Sequence, residues 1–422
     1  MKKLRNITVL LLSAIVLFSC FSVNLYEASA AETNTVYNNK YPMIFVHGYN
    51  GWGSNEDIDR AIPYWGATTG DLMKYLRSEG YECYSASVGP ISSAWDRACE
   101  LFAQLTGTRV DYGQVHSKEH NHKRYGRAYT EPLFEGWSST KKIHLIGHSF
   151  GGTTVRMLTY LMTYGCSEEV KGTSGNVSPL FTGGKESYIE SVTTICTPHN
   201  SASTYRFTQD LKIYEPVEIL SAIYVAVMGR SPLNGNLVDF HLEQFGITNT
   251  PGTFDSDTFV KSLVNFINNS DDGCMYDLTP EGMAKINGMI KISPHIYYYS
   301  YAFDTTETGK ITGLTWPIIT TNPIIAPISY WIGHHRTFTD ETTGQVYDEK
   351  WHANDALCNT ESETYPFTEA HRNYDGKAVS GVWNVMPVQR GDHGTAIGLL
   401  ADKRTTRKFY LNLAQMLTKL EK

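Results

Sequence analysis

Apolar and polar positions along the chain fall into two periods. Met43-Ile44-Phe45-Val46 is a continuous apolar run, Tyr81 to Val88 alternates, and Ile143, Leu145 and Ile146 make a second run ending at Gly147. Short runs bounded by glycine and polar residues predict strands. Ile189 to Cys196 and Ile296 to Phe303 read the same way. Between them, Gly70 to Glu79 carries Leu72, Tyr75 and Leu76 at helical spacing, and Thr153 to Tyr164 carries Val155, Leu158, Leu161 and Met162. The chain closes on a helix whose stripe is Tyr410, Leu413, Leu417 and Leu420. Strands alternating with helices predict an α/β fold with a mostly parallel sheet. Lys171 to Ser187, rich in Gly, Ser and Thr, reads as a long loop. The stretch after Phe303, with Trp316-Pro317 and Pro323, reads as weakly structured. Val217 to Met228 is apolar nearly all round, with only Glu218 and Ser221 strongly polar. A helix of that kind is either core or a mobile cover, because neither face can rest in water.

The first thirty residues stand apart. Lys2, Lys3 and Arg5 precede the apolar run Val9 to Phe18, and Ala28-Ser29-Ala30 resembles a cleavage site. This is the layout of a secretory signal, leaving residues 31–422 as the mature chain. A rival reading is lipoprotein anchoring at Cys20, although Phe18 fits a lipidation box poorly. Removing the signal takes away three basic residues and one acidic, so the formal net charge of −7 becomes about −9. Nucleic acid is excluded as a natural partner on that balance. No other apolar run reaches the ~20 residues of a membrane span. Of seven cysteines, Cys20 falls in the signal; the other six show no C-x-x-C spacing, and their pairing stays open. A chain of this length suits one α/β domain with large insertions, or two domains.

Candidate chemistry centres on Gly147-His148-Ser149-Phe150-Gly151. An apolar strand breaking at glycine, offering one serine and turning helical leaves that hydroxyl exposed on a sharp turn, so Ser149 reads as a nucleophile. The helix that follows aims its free N–H groups at the reacting centre. The first strand runs into His47-Gly48-Tyr49-Asn50-Gly51-Trp52-Gly53, which is either a plain tight turn or a source of oxyanion-binding backbone N–H groups. A serine nucleophile needs an imidazole and an orienting carboxylate. The order Ser, Asp, His is met by Asp355 and His393, with Asp304 and His371 as rivals. Asp355 lies in polar surroundings consistent with a loop. Separately, His116, His120 and His122 crowd the polar segment Tyr112 to His122, either as a solvated insertion or as part of a metal site.

Longer spans then carry a resemblance. Val46-His47-Gly48-Tyr49, Gly51-Trp52-Gly53, Tyr64-Trp65-Gly66, Gly89-Pro90 with Trp95-Asp96-Arg97-Ala98-Cys99-Glu100, and Val110-Asp111-Tyr112-Gly113 are among them. Gly126-Arg127, Ser178-Pro179-Leu180-Phe181 and Val192-Thr193-Thr194-Ile195 are others. From about Tyr41 to the C-terminal helix the chain resembles the secreted bacterial lipases typified by the staphylococcal and thermophilic-bacillus enzymes. The resemblance implies an α/β-hydrolase fold over residues 31–422 and a triacylglycerol lipase acting at an oil–water interface. It implies Ser149, Asp355 and His393 as the triad, with the backbone of Tyr49 and Phe150 as oxyanion donors. It further implies a structural zinc on an insertion spanning 89–127, held by Asp96, His116, His122 and Asp272. A one-residue shift at the last position would bring in Asp271, and Asp277 is also close. A helical lid is implied within 200–245. Relatives often bind calcium through acidic residues after the catalytic histidine, but Gly394 to Ala401 holds none before Asp402, so calcium is not carried over. Alternatives are a short-chain carboxylesterase or phospholipase on the same fold, or a catalytically silent zinc-bearing binding protein.

The lid reading is testable at once. Twelve residues from Val217 to Met228 are too few to cross a bilayer, yet they need cover both in water and at work. Replacing Leu220 and Ile223 with serine is expected to depress hydrolysis of emulsified long-chain triglyceride far more than that of a soluble butyrate ester. Equal loss of both activities together with melting temperature would make the segment core.

Overall fold

In the computed structural model of the chain, the described residues are 37–207, 239–248, 256–311 and 313–421. The signal reading over 1–30 and the segment Val217 to Met228 lie outside them. The apolar runs become a single sheet. Its strands are β1 (Met43–Val46), β2 (Cys83–Ala86), β3 (Ile143–His148), β4 (Ile189–Ile195), β5 (Tyr297–Tyr301), β6 (His371–Asn373) and β7 (Trp383–Val385). They lie in the order β6-β7-β5-β4-β3-β1-β2, and every neighbouring pair is parallel. Every residue of β1, β3 and β4 is buried. A parallel sheet covered on both faces has no solvent side, which is why β1 reads as an unbroken apolar run and why even the polar positions of β3 and β4 are buried.

Helices α1 (Leu72–Ser78), α2 (Ala94–Thr106), α3 (Phe150–Tyr164), α4 (Ser256–Asn269), α5 (Ala326–His334) and α6 (Lys403–Thr418) complete the framework. Successive side chains of β1 point to opposite faces. Ile44 and Val46 join one core with α2 and α3, while Met43 and Phe45 join the other with α1 and α6. Tyr410, Leu413 and Leu417 bury into the second core as their spacing predicts; Leu420 lies past the helix end, half-buried. In α1 the inward set is Leu72, Met73 and Leu76, and Tyr75 is only half-buried, with the Arg407 guanidinium over its ring.

Two elements depart from the sequence reading. The stretch from Gly89 is not simply a polar insertion, because α2 lies inside it and all of Ala94 to Leu105 is buried. The charged residues that disguise this helix are satisfied internally. Arg97 donates to Thr154 Oγ1 at 2.7 Å, to the Gly89 carbonyl at 2.7 Å and to the His47 carbonyl. Glu100 accepts the Gly89 N–H at 2.6 Å and the Tyr112 hydroxyl at 3.0 Å. Asp277 accepts the Ala94 N–H at 2.7 Å, at the start of the helix. The second departure is the region after Phe303, where Thr306–Thr308 pairs with Thr315–Pro317 and α5 follows. The six cysteines of the described residues are all free.

The sheet also fixes where a site can form. From β1 the chain passes outward to β2 and then returns across to β3, so the loops leaving β1 and β3 diverge at adjacent strand ends. In parallel sheets that crevice, beyond the carboxyl ends of the strands, is where ligands bind.

Arg97 tests this framework. Burial lowers its guanidinium to about 10, and its three acceptors lose their donor in Arg97→Leu. Chemical denaturation should then report a stability loss of about 3 kcal/mol or more. A loss below about 1 kcal/mol would mean that α2 is not held as described.

Candidate active site

Between β3 and α3 the chain reverses at Ser149, whose φ of 56° and ψ of −130° lie far from ordinary L-residue geometry. Close packing leaves no alternative. A Cβ on Gly147 would sit 2.4 Å from the Gly151 and Gly152 backbone, and one on Gly151 would sit 2.2 Å from the Val46 carbonyl oxygen. The Ser149 N–H donates to Ile195 at 2.8 Å, and Thr197 Oγ1 donates to the Ser149 carbonyl at 2.9 Å. The loop after β1 comes equally close: a Cβ on Gly48 would lie 2.6 Å from Ser149 Cβ and 3.1 Å from its Oγ. Tyr49 follows directly on this loop, and Phe150 opens α3, so the two amides expected as oxyanion donors flank Ser149 on separate segments.

Asp355 and His393 meet. Asp355 Oδ2 lies 2.5 Å from His393 Nδ1, and the His393 N–H donates to the Asp355 carbonyl at 2.7 Å. Asp355 lies in a loop, as its polar sequence context suggested, but it is fully buried. The reason is its turn, where Oδ1 accepts the N–H groups of Leu357 at 2.9 Å and Cys358 at 2.7 Å, so solvent is replaced rather than lost. Burial alone would raise its carboxyl, but the adjacent His393 imidazole holds it below the usual carboxylate range. The rivals are engaged elsewhere. Asp304 accepts from the N–H of Thr306 at 2.8 Å, and His371 lies exposed on edge strand β6, stacked on Tyr365.

Two further residues, Tyr64 and His148, tie these segments together. His148 Nδ1 lies 2.7 Å from the Tyr64 hydroxyl, His148 Nε2 lies 3.1 Å from the His393 carbonyl, and the Gly48 N–H donates to Tyr64 at 2.9 Å. Burial, reinforced by the nearby His393, drives the His148 imidazole well below its ordinary pKa, so it is neutral. The carbonyl can only accept, so Nε2 carries the proton, Nδ1 accepts from Tyr64, and the Tyr64 oxygen takes the Gly48 N–H. The loop after β1, the Ser149 turn and the loop of His393 thus share one chain of hydrogen bonds. Neither residue was assigned a role from sequence; Tyr64 stood in a motif and His148 beside the serine, but their meeting is tertiary.

A second cluster brings together Asp96, His116, His122 and Asp272. His116 Nε2 lies 3.2 Å from Asp96 Oδ1 and 3.3 Å from Asp272 Oδ2, and His122 Nε2 lies 3.2 Å from Asp272 Oδ2. All four of these atoms are buried without a hydrogen-bond partner. Four ligands about 2.0 Å from a tetrahedral Zn²⁺ would stand about 3.3 Å apart, so the donor set fits the ion in chemistry and spacing. The remaining edges are occupied: Gln244 donates to Asp96 Oδ2 at 2.9 Å, and His122 Nδ1 lies 2.9 Å from the Lys123 carbonyl. His120 turns instead to the exposed Asp271 at 3.0 Å, and Asp277 stays with α2.

A doubly covered parallel sheet, with a serine on a glycine-framed elbow after an interior strand, defines the α/β-hydrolase class. Residues 39–422 match the family described as Lipase-like, C-terminal domain. The chain belongs to that family. It is 32% identical over 420 residues to Lipase 1 of Staphylococcus aureus strain MRSA252, covering 94% of this chain and 58% of the relative. Lipase 2 of Staphylococcus aureus is 33% identical over 371 residues, covering 86% of this chain and 51% of the relative. The chain therefore spans little more than half the length of these relatives. Among solved structures, EstA from Clostridium botulinum superposes with a TM-score of 0.80 at 31% identity, covering 96% of this chain and 97% of that one. The Staphylococcus hyicus lipase gives 0.79 at 30%, covering 93% and 99%.

Proposed function

We propose that this chain is a serine ester hydrolase of the lipase type, cleaving acylglycerols through an acyl-enzyme on Ser149. The observation that carries the reading is the Ser149 turn, pressed against the Gly48 loop and tied through His148 to an imidazole that Asp355 orients. In the first half-reaction Ser149 Oγ attacks the ester carbonyl carbon while its proton passes to His393 Nε2. The oxygen that gains charge is met by the N–H groups of Tyr49 and Phe150, assisted by the N-terminal end of α3. Collapse breaks the bond to the alcohol, which leaves with the proton from His393. Water then repeats the sequence on the acyl-enzyme, His393 taking its proton, and the fatty acid leaves as Ser149 regains its hydrogen. Asp355 stays ionised throughout and stabilises the imidazolium.

A preference for water-insoluble acylglycerols is supported by the relatives, which are named lipases. The Asp355–His393 pair argues against a silent binding protein. Among the described residues no helix is long and apolar enough to cross a membrane, and the N-terminal charged-then-apolar segment supports release from the cell. Asp96, His116, His122 and Asp272 would hold a structural zinc. When bound, the ion supplies a cross-link and no open coordination position, because four side chains fill it. It would join α2, the short helix Gln114–Glu119, the loop behind it and the segment after α4. Calcium forms no part of the proposal. Asp402, the nearest acid of the tract after His393, accepts the Thr405 N–H at 2.8 Å at the N-terminus of α6.

A chain-length series of nitrophenyl esters with emulsified triolein separates lipase from short-chain esterase. Ser149→Ala and His393→Ala should each lose about 10³-fold or more of kcat, and Asp355→Ala somewhat less. Full activity in Asp355→Ala would move the acid role to Asp304. For the metal, elemental analysis should find about one zinc per chain, with chelation lowering the melting temperature before it abolishes ester hydrolysis. Absence of zinc, or a calcium-dependent rise of many degrees, would refute this assignment of metals.

A further inference from the structure

Glu363 was given no role by its sequence context, yet it is fully buried beside the Asp355–His393 pair. It ends the short turn Thr360–Glu363. One donor atom from each of Cys196, Asp355, Glu363 and His393 lies within 4.8 Å of the others. Glu363 Oε2 accepts the Phe303 N–H at 2.8 Å, whereas buried Oε1 meets no N–H or hydroxyl donor and faces the Asp355 side chain. The titratable groups facing Glu363 are Asp355, Asp304 and His393, together with the Cys196 and Cys358 thiols. None of these is a lysine or arginine. Burial and the neighbouring carboxylates push both thiols well up, so neither contributes charge.

Two ionised carboxylates in this dry space would face at most one imidazolium, so one of them keeps a proton. Which one is decided by hydrogen bonds. Asp355 accepts two backbone N–H groups on Oδ1 and faces His393 on Oδ2, while Glu363 accepts a single N–H. Donors favour the charged form, and Asp355 has more of them. The direction of each shift agrees: burial, then the charge of Asp355, raises Glu363, while His393 lowers Asp355.

We infer that Glu363 is a positioning residue that stands as a neutral carboxylic acid and donates its O–H from Oε1 to the Asp355 carboxylate. This rests on the triad reading above. The bond holds Asp355 in its turn and draws charge from it, so Asp355 binds the imidazolium less tightly. Removing the donor has the opposite effect. Glu363→Ala should therefore lose about tenfold in kcat/KM, the scale of one hydrogen bond to a charged group. Its acid limb, set by loss of the imidazolium proton, should move upward by about half a pH unit or more. Glu363→Gln keeps a neutral donor and should restore the position of the limb and most of the rate. If Glu363 were instead ionised, both variants would remove a negative charge near His393, and both limbs would move downward. Unchanged limbs in both, with only melting temperature altered, would reduce Glu363 to packing; either result overturns the inference. An arm independent of activity uses infrared difference spectra of wild type against Glu363→Gln at neutral pH. The carbonyl band of a protonated carboxyl should vanish in the variant, and loss of a carboxylate band instead would refute the inference. A wild type without ester hydrolysis would defeat the triad reading alone and leave this second arm to decide.

Discussion

A serine held at positive φ is the constraint on which the rest depends. Such a conformation costs of order 1–3 kcal/mol and persists only where the surroundings over-determine it. Here they do so from three directions. Val46 and His47 press on Gly151, Thr197 presses on Gly152, and Gly48 leaves just enough room for the serine side chain itself. The parallel register that sets Val46 opposite Gly147 brings the two loops together at that spot. Burial of β1 and β3 on both faces makes the register unable to slip, because a one-residue shift would exchange the two cores. Strain at one residue is thus held by the most buried part of the molecule.

Much of the remaining order comes from polar groups placed where water is absent. α2 is buried along almost its whole length, and its charges serve as ties to the loops after β1 and β2 rather than as a solvated face. The same logic recurs at Asp355, at the neutral His148 and at the four converging atoms of Asp96, His116, His122 and Asp272. At Asp355 and His148 the buried polar atoms have partners, and at the four-residue cluster the unpartnered ones lie together in a geometry that fits a cation. Such groups are costly to leave unpaired, and this makes the arrangement specific.

Elements with a strong apolar period were legible in the chain: β1, β3 to β5, the helix after Ser149 and the C-terminal stripe all stand near their expected bounds. α2 and α5 were not. In α2 the side chains Asp96, Arg97, Glu100 and Gln104 break any apolar face, and nothing local reveals which distant groups will meet them. The order of Ser149, Asp355 and His393 nominated a set, and the fold brings the last two into contact. Sequence order could not separate Asp355 from Asp304, since both lie between Ser149 and His393 in the chain. Their turns separate them, one ending against an imidazole and the other closing on its own Thr306.

By itself, then, the sequence determined local matters: which runs are strand or helix, where glycine permits a sharp turn, and which residue types are available for chemistry. These depend on period and on backbone freedom, both of which act over a few residues. Only the tertiary structure decided that Tyr64 and His148 join three loops, that Asp272 rather than Asp271 faces His116, and that Glu363 lies beside Asp355. The first two depend on contacts between segments tens to hundreds of residues apart, and the third on a turn whose burial is set by distant strands. A buried charge has no signature until its neighbours are known.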